Sequence, residues 1–463
     1  MTNRLSALDV SFLYMESPTT PMHVGGVAIL EKPEQGFDYE RLVKLMSERI
    51  SAVPRYRQIV RWVPGHLANP VWIDDVDFDI TYHVRRSALP RPGTDAQLRE
   101  LVGRLQSRQL DPSRPLWEIY LVEGLENDRA AIITKTHHAM VDGVSAVDVG
   151  AMILDVAPEP RETTVEPWHP QSPPSALSLA TGAIVDTVRR PVGLIDTVRS
   201  AAMDVRRTAA RAGSVAGGLL SAVNTARRLA PSSPLNVDIG EQRRYGMAKT
   251  ELDDYKRVRK AYGGTVNDVV LATVSGALRE FLLMRGEPVA TSTTLRAMVP
   301  VSVRAENQQG DLGNRVSSYF VDLPVGEPNP VVRLHQVSYA MKAHKEAGQS
   351  VGADAIIALS GYAPPTIHSA AARLASGMTR RLFNLVVTNV PGPQFPLYAA
   401  GARMLEMYPV VPLAKGQGVC IGLTSYDGGV YYGLNADRDA MPDVDVLATC
   451  IEESLAELVA GAK

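Results

Sequence analysis

Six of the seventeen residues from Pro158 to Pro174 are proline. Proline lacks a backbone N–H and has a fixed φ, so such a stretch cannot run through a helix interior or a central strand. It therefore marks a domain boundary or a crossover. A length of 463 residues agrees, being long for a single domain. The natural division is a first folded part over 1–156, a crossover over 157–240 and a second folded part over 241–463.

Both folded parts mix strand-like and helix-like patterns. In the first, Val24 to Leu30 and Tyr56 to Val63 read as strands, and Ala130 to Thr136 reads as a buried strand. Tyr39 to Val53 predicts an amphipathic helix with Leu42, Leu45, Met46, Ile50 and Val53 on one face, and Gln97 to Gln109 predicts a second. In the second part, Thr265 and Asp268 have the spacing of a capping box. They open a long helix striped by Val266, Val270, Val274 and Leu278, which Gly286 ends. Leu295 to Val303, Phe383 to Thr388, Gly418 to Thr424 and Val430 to Leu434 read as strands.

Composition removes several functional classes. The formal net charge of −2 gives no general attraction to nucleic acid. Two cysteines, Cys420 and Cys450, cannot frame a disulfide scaffold, and a reducing compartment is expected. The first residues have no signal-peptide core. No run approaches the ~20 apolar residues of a membrane span. A cytoplasmic protein able to sit on a membrane surface is expected. There is no Walker-type loop and no Gly-x-Gly-x-x-Gly opening a helix, so nucleotide-phosphate chemistry is not expected.

Residues 175–235 contain no aromatic residue and no lysine. They carry Arg189, Arg190, Arg199, Arg206, Arg207, Arg211, Arg227 and Arg228 against Asp186, Asp196 and Asp204. Such a segment is either a solvated linker or a contact with anionic lipid, and the lack of Trp and Phe favours the linker.

The chemistry concentrates in His137-His138-Ala139-Met140-Val141-Asp142-Gly143, directly after the Ala130 to Thr136 strand. A histidine at a strand end, with a carboxylate four residues on and a glycine to turn the chain, is a common way to build a general base. The plainer alternative is a hydrogen-bonded packing histidine. A metal site is disfavoured, because adjacent strand residues face opposite sides and the cysteines lie far off in sequence.

His137-His138-x3-Asp142-Gly143 resembles the active-site motif of CoA-dependent acyltransferases related to chloramphenicol acetyltransferase and to peptide-synthetase condensation domains. Three further segments narrow the resemblance: Pro115-Leu116-Trp117-Glu118, Asn267-Asp268 at the head of the long helix, and Thr388-Asn389-Val390-Pro391-Gly392-Pro393. With Leu5-Ser6-Ala7-Leu8-Asp9, they make the chain similar to the bacterial bifunctional wax ester synthase/acyl-CoA:diacylglycerol acyltransferases from about residue 4 to about 458.

The resemblance implies an α/β fold of α+β layered type. Two chloramphenicol acetyltransferase-like domains would face each other across a central substrate channel. It implies acyl-CoA as co-substrate, no tightly bound cofactor, and diacylglycerol or a long-chain alcohol as acceptor. The enzyme would be peripherally associated with a membrane or lipid droplet. His138 would be the base, with His137, Asp142 and Gly143 completing the motif. Arg304 resembles the arginine that pairs with this aspartate in related enzymes. Asn267 would donate to the developing oxyanion or cap the helix, with Asp268 beside it. Pro115, Leu116 and Trp117 would pack or border the channel, and Glu118 would hold the active-site loop. Asn389, Pro391 and Gly392 would form a rigid turn in the channel wall. A transferase for a polyketide or glycolipid hydroxyl, and a silent lipid-droplet protein, are the competing readings.

Overall fold

A computed structural model describes residues 3–31, 37–141, 149–163, 167–182, 229–302, 316–346, 351–352 and 381–462. The first part runs β1 (Asn3–Arg4), α1 (Ala7–Met15), β2 (His23–Glu31), α2 (Tyr39–Arg49), β3 (Gln58–Arg61), β4 (Val71–Asp74), α3 (Ile80–His83), β5 (Val84–Ala88), α4 (Asp95–Ser107), β6 (Trp117–Leu125), β7 (Arg129–His137), α5 (His138–Val141), α6 (Val149–Ile153) and β8 (Leu154–Asp155). The rest runs β9 (Arg243–Glu251), α7 (Leu252–Tyr262), α8 (Val266–Met284), β10 (Leu295–Ser302), β11 (Val316–Leu323), α9 (Pro330–Glu346), β12 (Val351–Gly352), β13 (Leu385–Pro391), β14 (Tyr398–Ala399), β15 (Ala402–Val410), β16 (Val419–Tyr426), β17 (Gly429–Asp437) and α10 (Val444–Gly461).

Among the described residues these strands form two seven-stranded sheets and a small three-stranded one. The first large sheet has the order β5-β6-β7-β2-β15-β14-β8, and the second has β12-β11-β10-β13-β16-β17-β9. Each sheet has its own apolar core. One is built around Val27, Ile29, Leu121 and Ile133, and the other around Val270, Leu278, Ile421 and Leu434. The proline-rich segment lies against the small sheet β1-β4-β3. Gln171 N–H donates to Asp74 Oδ2 at 2.9 Å, the Arg57 guanidinium sits 4.6 Å over the Trp168 ring, and Leu179 is buried with Val63, Val71 and Ile73.

β14 and β15 come from the far end of the chain but belong to the first sheet, with Tyr408 opposite Val27 and Val410 opposite Gly25 on β2. The second sheet holds the same strand from its other side. Tyr245, Tyr426, Tyr431 and Asn435 donate side-chain hydrogen bonds to the carbonyls of Pro409, Met404, Leu405 and Val411, at 2.8 to 3.1 Å. A Cβ on Gly433 would stand 1.9 Å from the Pro409 carbonyl oxygen, so the close approach of β15 to β17 requires glycine there. β15 thus ties the two sheets together.

Local chemistry accounts for the element ends. Thr94 and Gln97 close a capping box on α4, and Thr265 and Asp268 close one on α8. α8 ends at Met284, and Gly286 follows at φ +72°. The helix expected over Tyr39 to Val53 stops at Arg49 and tightens into a 3-10 turn over Ile50–Ala52. Pro54 disfavours helical backbone at the residue before it. Pro54–Arg57 forms another 3-10 turn, so the strand expected from Tyr56 starts only at Gln58.

Candidate active site

β2 and β7 pair antiparallel at the middle of the first sheet, with His23 directly opposite His137. Side chains alternate between the faces of a strand. Val24, Gly26 and Ala28 of β2, with Ile132, Thr134 and Thr136 of β7, line a mainly apolar cavity of about 220 Å³. Val141, Ile153, Met404 and Met407 complete much of its wall. His23 and His137 alternate to the opposite face, and both are almost fully buried.

His137 is the last residue of β7, and His138 is the first of the helical turn α5. Four short links fix this corner. The His137 N–H donates to Leu116 O at 2.9 Å, and the His138 N–H donates to Met22 O at 2.8 Å. The Ala139 N–H donates to His137 Nδ1 at 3.1 Å. The His137 Nε2 stands 3.5 Å from Glu16 Oε2. With its Nδ1 accepting a hydrogen bond, neutral His137 carries its proton on Nε2, facing the carboxylate. His138 is half-buried, its ring stacked on Phe12 with centroids 3.9 Å apart and planes 21° apart. Val141, three residues on in the same turn, borders the cavity.

The other oxygen of Glu16 lies 3.5 Å from His23 Nε2 and accepts the Met22 N–H at 3.3 Å. Burial raises the Glu16 pKa, but hydrogen bonds and attraction from His137 and His23 outweigh it and hold this carboxyl well below the usual range. Burial is also the main force on His23, taking it down to about 4, so this imidazole stays neutral at physiological pH.

The segment returning from the motif is clamped. Arg49, buried at the end of α2, donates to the carbonyls of Met152 at 2.9 Å and Ile153 at 3.3 Å, and pairs with buried Asp155 at 2.6 Å. Asp142, Gly143 and Arg304 lie outside the described residues, so the expected Asp142–Arg304 pair has no geometry here. The same holds for the arginines from Arg189 to Arg228.

Pro115, Leu116, Trp117 and Glu118 stand in the interior of the first sheet, away from the apolar cavity. The Trp117 indole N–H donates to Tyr56 O at 2.8 Å, and its ring stacks on His83 at 4.5 Å. Glu118 pairs with Arg85 at 3.0 Å, lies 3.9 Å from the Lys135 ammonium and accepts the Tyr120 hydroxyl at 2.7 Å. Burial brings Lys135 down to about 8. Packing, the plainer reading of this motif, fits these positions, and Leu116 reaches the histidine corner through its carbonyl.

Asn267 and Asn389, far apart in sequence, meet in space. The Asn389 Nδ2 donates to Asn267 Oδ1 at 3.3 Å. The helix cap is Thr265, so Asn267 does not cap α8. Asp268 is buried in that box, accepts the Thr265 N–H at 2.8 Å, and takes a further bond from Ser338 of α9 at 3.2 Å. Asn389 and Pro391 do not form a turn, because β13 continues in parallel register with β16 through Pro391 opposite Ser425. A Cβ on Gly392 would come 2.4 Å from Ser425 O, and this contact explains the glycine.

Phe12, Glu16, His23 and Arg49 did not stand out in the sequence. Only Glu16 left a signal. It follows the last residue of α1, and a carboxylate at a helix C-terminus opposes the macrodipole. Such a choice needs a partner elsewhere.

Three comparisons place the chain. Residues 5–270 match the model of the wax ester synthase/diacylglycerol acyltransferase catalytic domain, and residues 312–459 match that of the corresponding C-terminal domain. The probable diacylglycerol O-acyltransferase tgs1 of Mycobacterium tuberculosis H37Rv is 34% identical over 463 residues, spanning 100% of this chain and 96% of that one. The wax ester synthase/diacylglycerol acyltransferase of Marinobacter aquaeolei VT8 superposes with a TM-score of 0.69 at 28% identity, covering 99% of this chain and all of that one. The first condensation domain of the CDA synthetase shares the fold, with a TM-score of 0.56 at 15% identity over 100% of this chain and 97% of that one. The mixed α/β architecture is thus that of an acyltransferase. The chain belongs to the wax ester synthase/diacylglycerol acyltransferase family.

Proposed function

We propose that the chain transfers a long acyl group from acyl-CoA to the free hydroxyl of diacylglycerol, and to long-chain alcohols as a second class of acceptor. His138 takes the hydroxyl proton as the oxygen attacks the thioester carbonyl. The C–O bond forms, the C–S bond breaks, and the imidazolium returns the proton to the CoA thiolate. A thioester is already activated, so no acyl-enzyme is needed. The observation that carries this assignment is the division of labour between the two histidines. The lone pair of His137 is taken by Ala139 N–H, which leaves His138 as the base, three residues before Val141 in the wall of an apolar cavity suited to a hydrocarbon chain. Cys420 is a poor covalent alternative, being fully buried with its thiol pushed up by burial.

The test is to incubate purified protein with labelled palmitoyl-CoA and diolein, hexadecanol or no acceptor, then separate the neutral lipids. Label in triacylglycerol, with less in wax ester, supports the reading. Label in wax ester alone replaces the acceptor. Label in neither, from folded protein, points to a different hydroxyl such as that of a polyketide or glycolipid.

Asn267 fits the oxyanion role. Its carbonyl is occupied by Asn389, so what its side chain has left to offer is N–H donors. Losing one such donor costs ~10²- to 10³-fold in kcat. Asn267→Ala should show that loss in steady-state assays with an unchanged melting temperature, since Thr265 caps the helix. A fall in stability with unchanged kcat contradicts the role.

Both acceptor types reside in membranes or oil, and no described helix is long and apolar enough to cross a bilayer. Access is then from the surface. Eight arginines less three aspartates give residues 175–235 a charge of +5. Each basic residue near an anionic surface contributes about 1 kcal/mol, an effect that salt screens. Flotation with anionic vesicles should weaken as salt rises, and weaken again when Arg199, Arg206, Arg207 and Arg211 become Ser. Binding indifferent to both assigns docking elsewhere on the protein.

A further inference from the structure

Besides its links to the Leu116 and Met22 carbonyls, the corner that carries His138 is held by one short helix near the start of the chain. α1 opens with a Ser6 capping box, in which the Asp9 N–H donates to Ser6 Oγ and the Ser6 N–H to Asp9 Oδ2, both at 3.1 Å. Its far end presents Phe12 and Glu16, which are four residues apart and so lie on one face. The Glu16 N–H closes that turn on Phe12 O at 3.1 Å. Phe12 lies flat against the His138 ring. Glu16 reaches the same corner by two routes. One runs from its Oε1 to the Met22 N–H, and from the Met22 carbonyl to the His138 N–H. The other runs from its Oε2 to His137 Nε2, and from His137 Nδ1 to the Ala139 N–H. The residues on either side of the base are therefore tied to one half-buried carboxylate, and its ring lies flat against one aromatic side chain.

We propose that Phe12 and Glu16 are positioning residues for acyl transfer, Phe12 fixing the plane of the His138 imidazole and Glu16 fixing the backbone that carries it. This rests on the reading of His138 as the base. Neither residue needs to touch substrate. An imidazole that must take a proton from one oxygen and deliver it to a departing sulfur works only if its ring direction is kept through the reaction. Small misplacements of a catalytic group cost up to ~10²-fold in rate. Phe12 is suited to the task because a flat apolar face restrains rotation and offers no hydrogen bond that would compete for the ring nitrogens. Glu16 is suited because an ionised carboxylate has enough lone pairs for the Met22 N–H and the His137 Nε2–H at once. A glutamine in its place keeps the shape but loses the charge and one acceptor oxygen.

The test measures kcat, KM for palmitoyl-CoA and the melting temperature of Phe12→Leu, Phe12→Tyr, Glu16→Gln and His138→Ala. The expected result is a kcat lowered about 10- to 100-fold in Phe12→Leu and Glu16→Gln, with KM nearly unchanged. Phe12→Tyr, which keeps the flat ring, should recover most of the rate. Adding Phe12→Leu to His138→Ala should cost nothing further, because the aromatic acts through a base no longer there. Full kcat in Phe12→Leu and Glu16→Gln beside a dead His138→Ala overturns the proposal and leaves the base intact. Losses that leucine and tyrosine share equally, or that persist in the His138→Ala background, also overturn it. Wild-type kcat in His138→Ala itself overturns the base assignment instead.

Discussion

His138→Ala should turn over about 10²- to 10⁴-fold more slowly, the usual cost of losing a general base, while melting close to the native chain. The ring is half-buried and stacked on Phe12, so its loss removes little core. His137→Ala should behave differently. That ring is 1% exposed, bonds Ala139 N–H through Nδ1 and faces Glu16 through Nε2. Its removal leaves the half-buried Glu16 carboxylate short of a partner and frees the turn that carries the base. Both stability and rate should fall. A large core truncation plus a lost hydrogen bond is worth several kcal/mol, of order 2 to 4. Parallel melts and initial rates of the two variants check this. If they show the same melting temperature and the same rate, the two histidines do not have separate jobs.

The largest effect on stability should come from Arg49→Ala. Arg49 and Asp155 are 2% and 6% exposed, and the guanidinium also holds the Met152 and Ile153 carbonyls. Removing one member of a buried pair leaves an uncompensated charge and costs ~3 to 5 kcal/mol. Arg49→Lys should recover only part, since an ammonium cannot span three acceptors as a planar fork does. The Arg49→Ala/Asp155→Ala double variant should be less damaged than the sum of the singles, because no charge is left stranded. Urea unfolding of the four proteins measures the coupling. Activity should drop as well, since this clamp anchors the chain where it returns from the motif. Strict additivity contradicts the clamp.

Local signals were legible and long-range ones were not. The strand before the histidines is marked by its apolar run, and β7 ends on His137 itself. The capping box of α8 and the glycine beyond its end follow from residue types over a few positions. β15 gave no such mark. Its residues, Ala402 to Val410, pair with a strand more than 370 positions earlier, and nothing within the segment names that partner. The Asn389–Asn267 and Glu16–His137 contacts were hidden for the same reason: each residue is ordinary alone and informative only beside the other. Sequence also placed a turn at Asn389 to Pro393, because proline and glycine dominate there. The parallel partner β16 overrides that local preference and carries the strand on to Pro391.

The central claim is direct transfer to the acceptor with His138 as base, and a single-turnover pulse tests it most directly. Stoichiometric labelled palmitoyl-CoA is mixed with enzyme, with and without diolein, then quenched and resolved into protein, thioester and neutral lipid. The account predicts that label without acceptor stays on CoA with none on protein. With diolein it passes straight into triacylglycerol, and in His138→Ala that passage is lost. Label bound to the protein before diolein is added, chased into triacylglycerol afterwards, would contradict it.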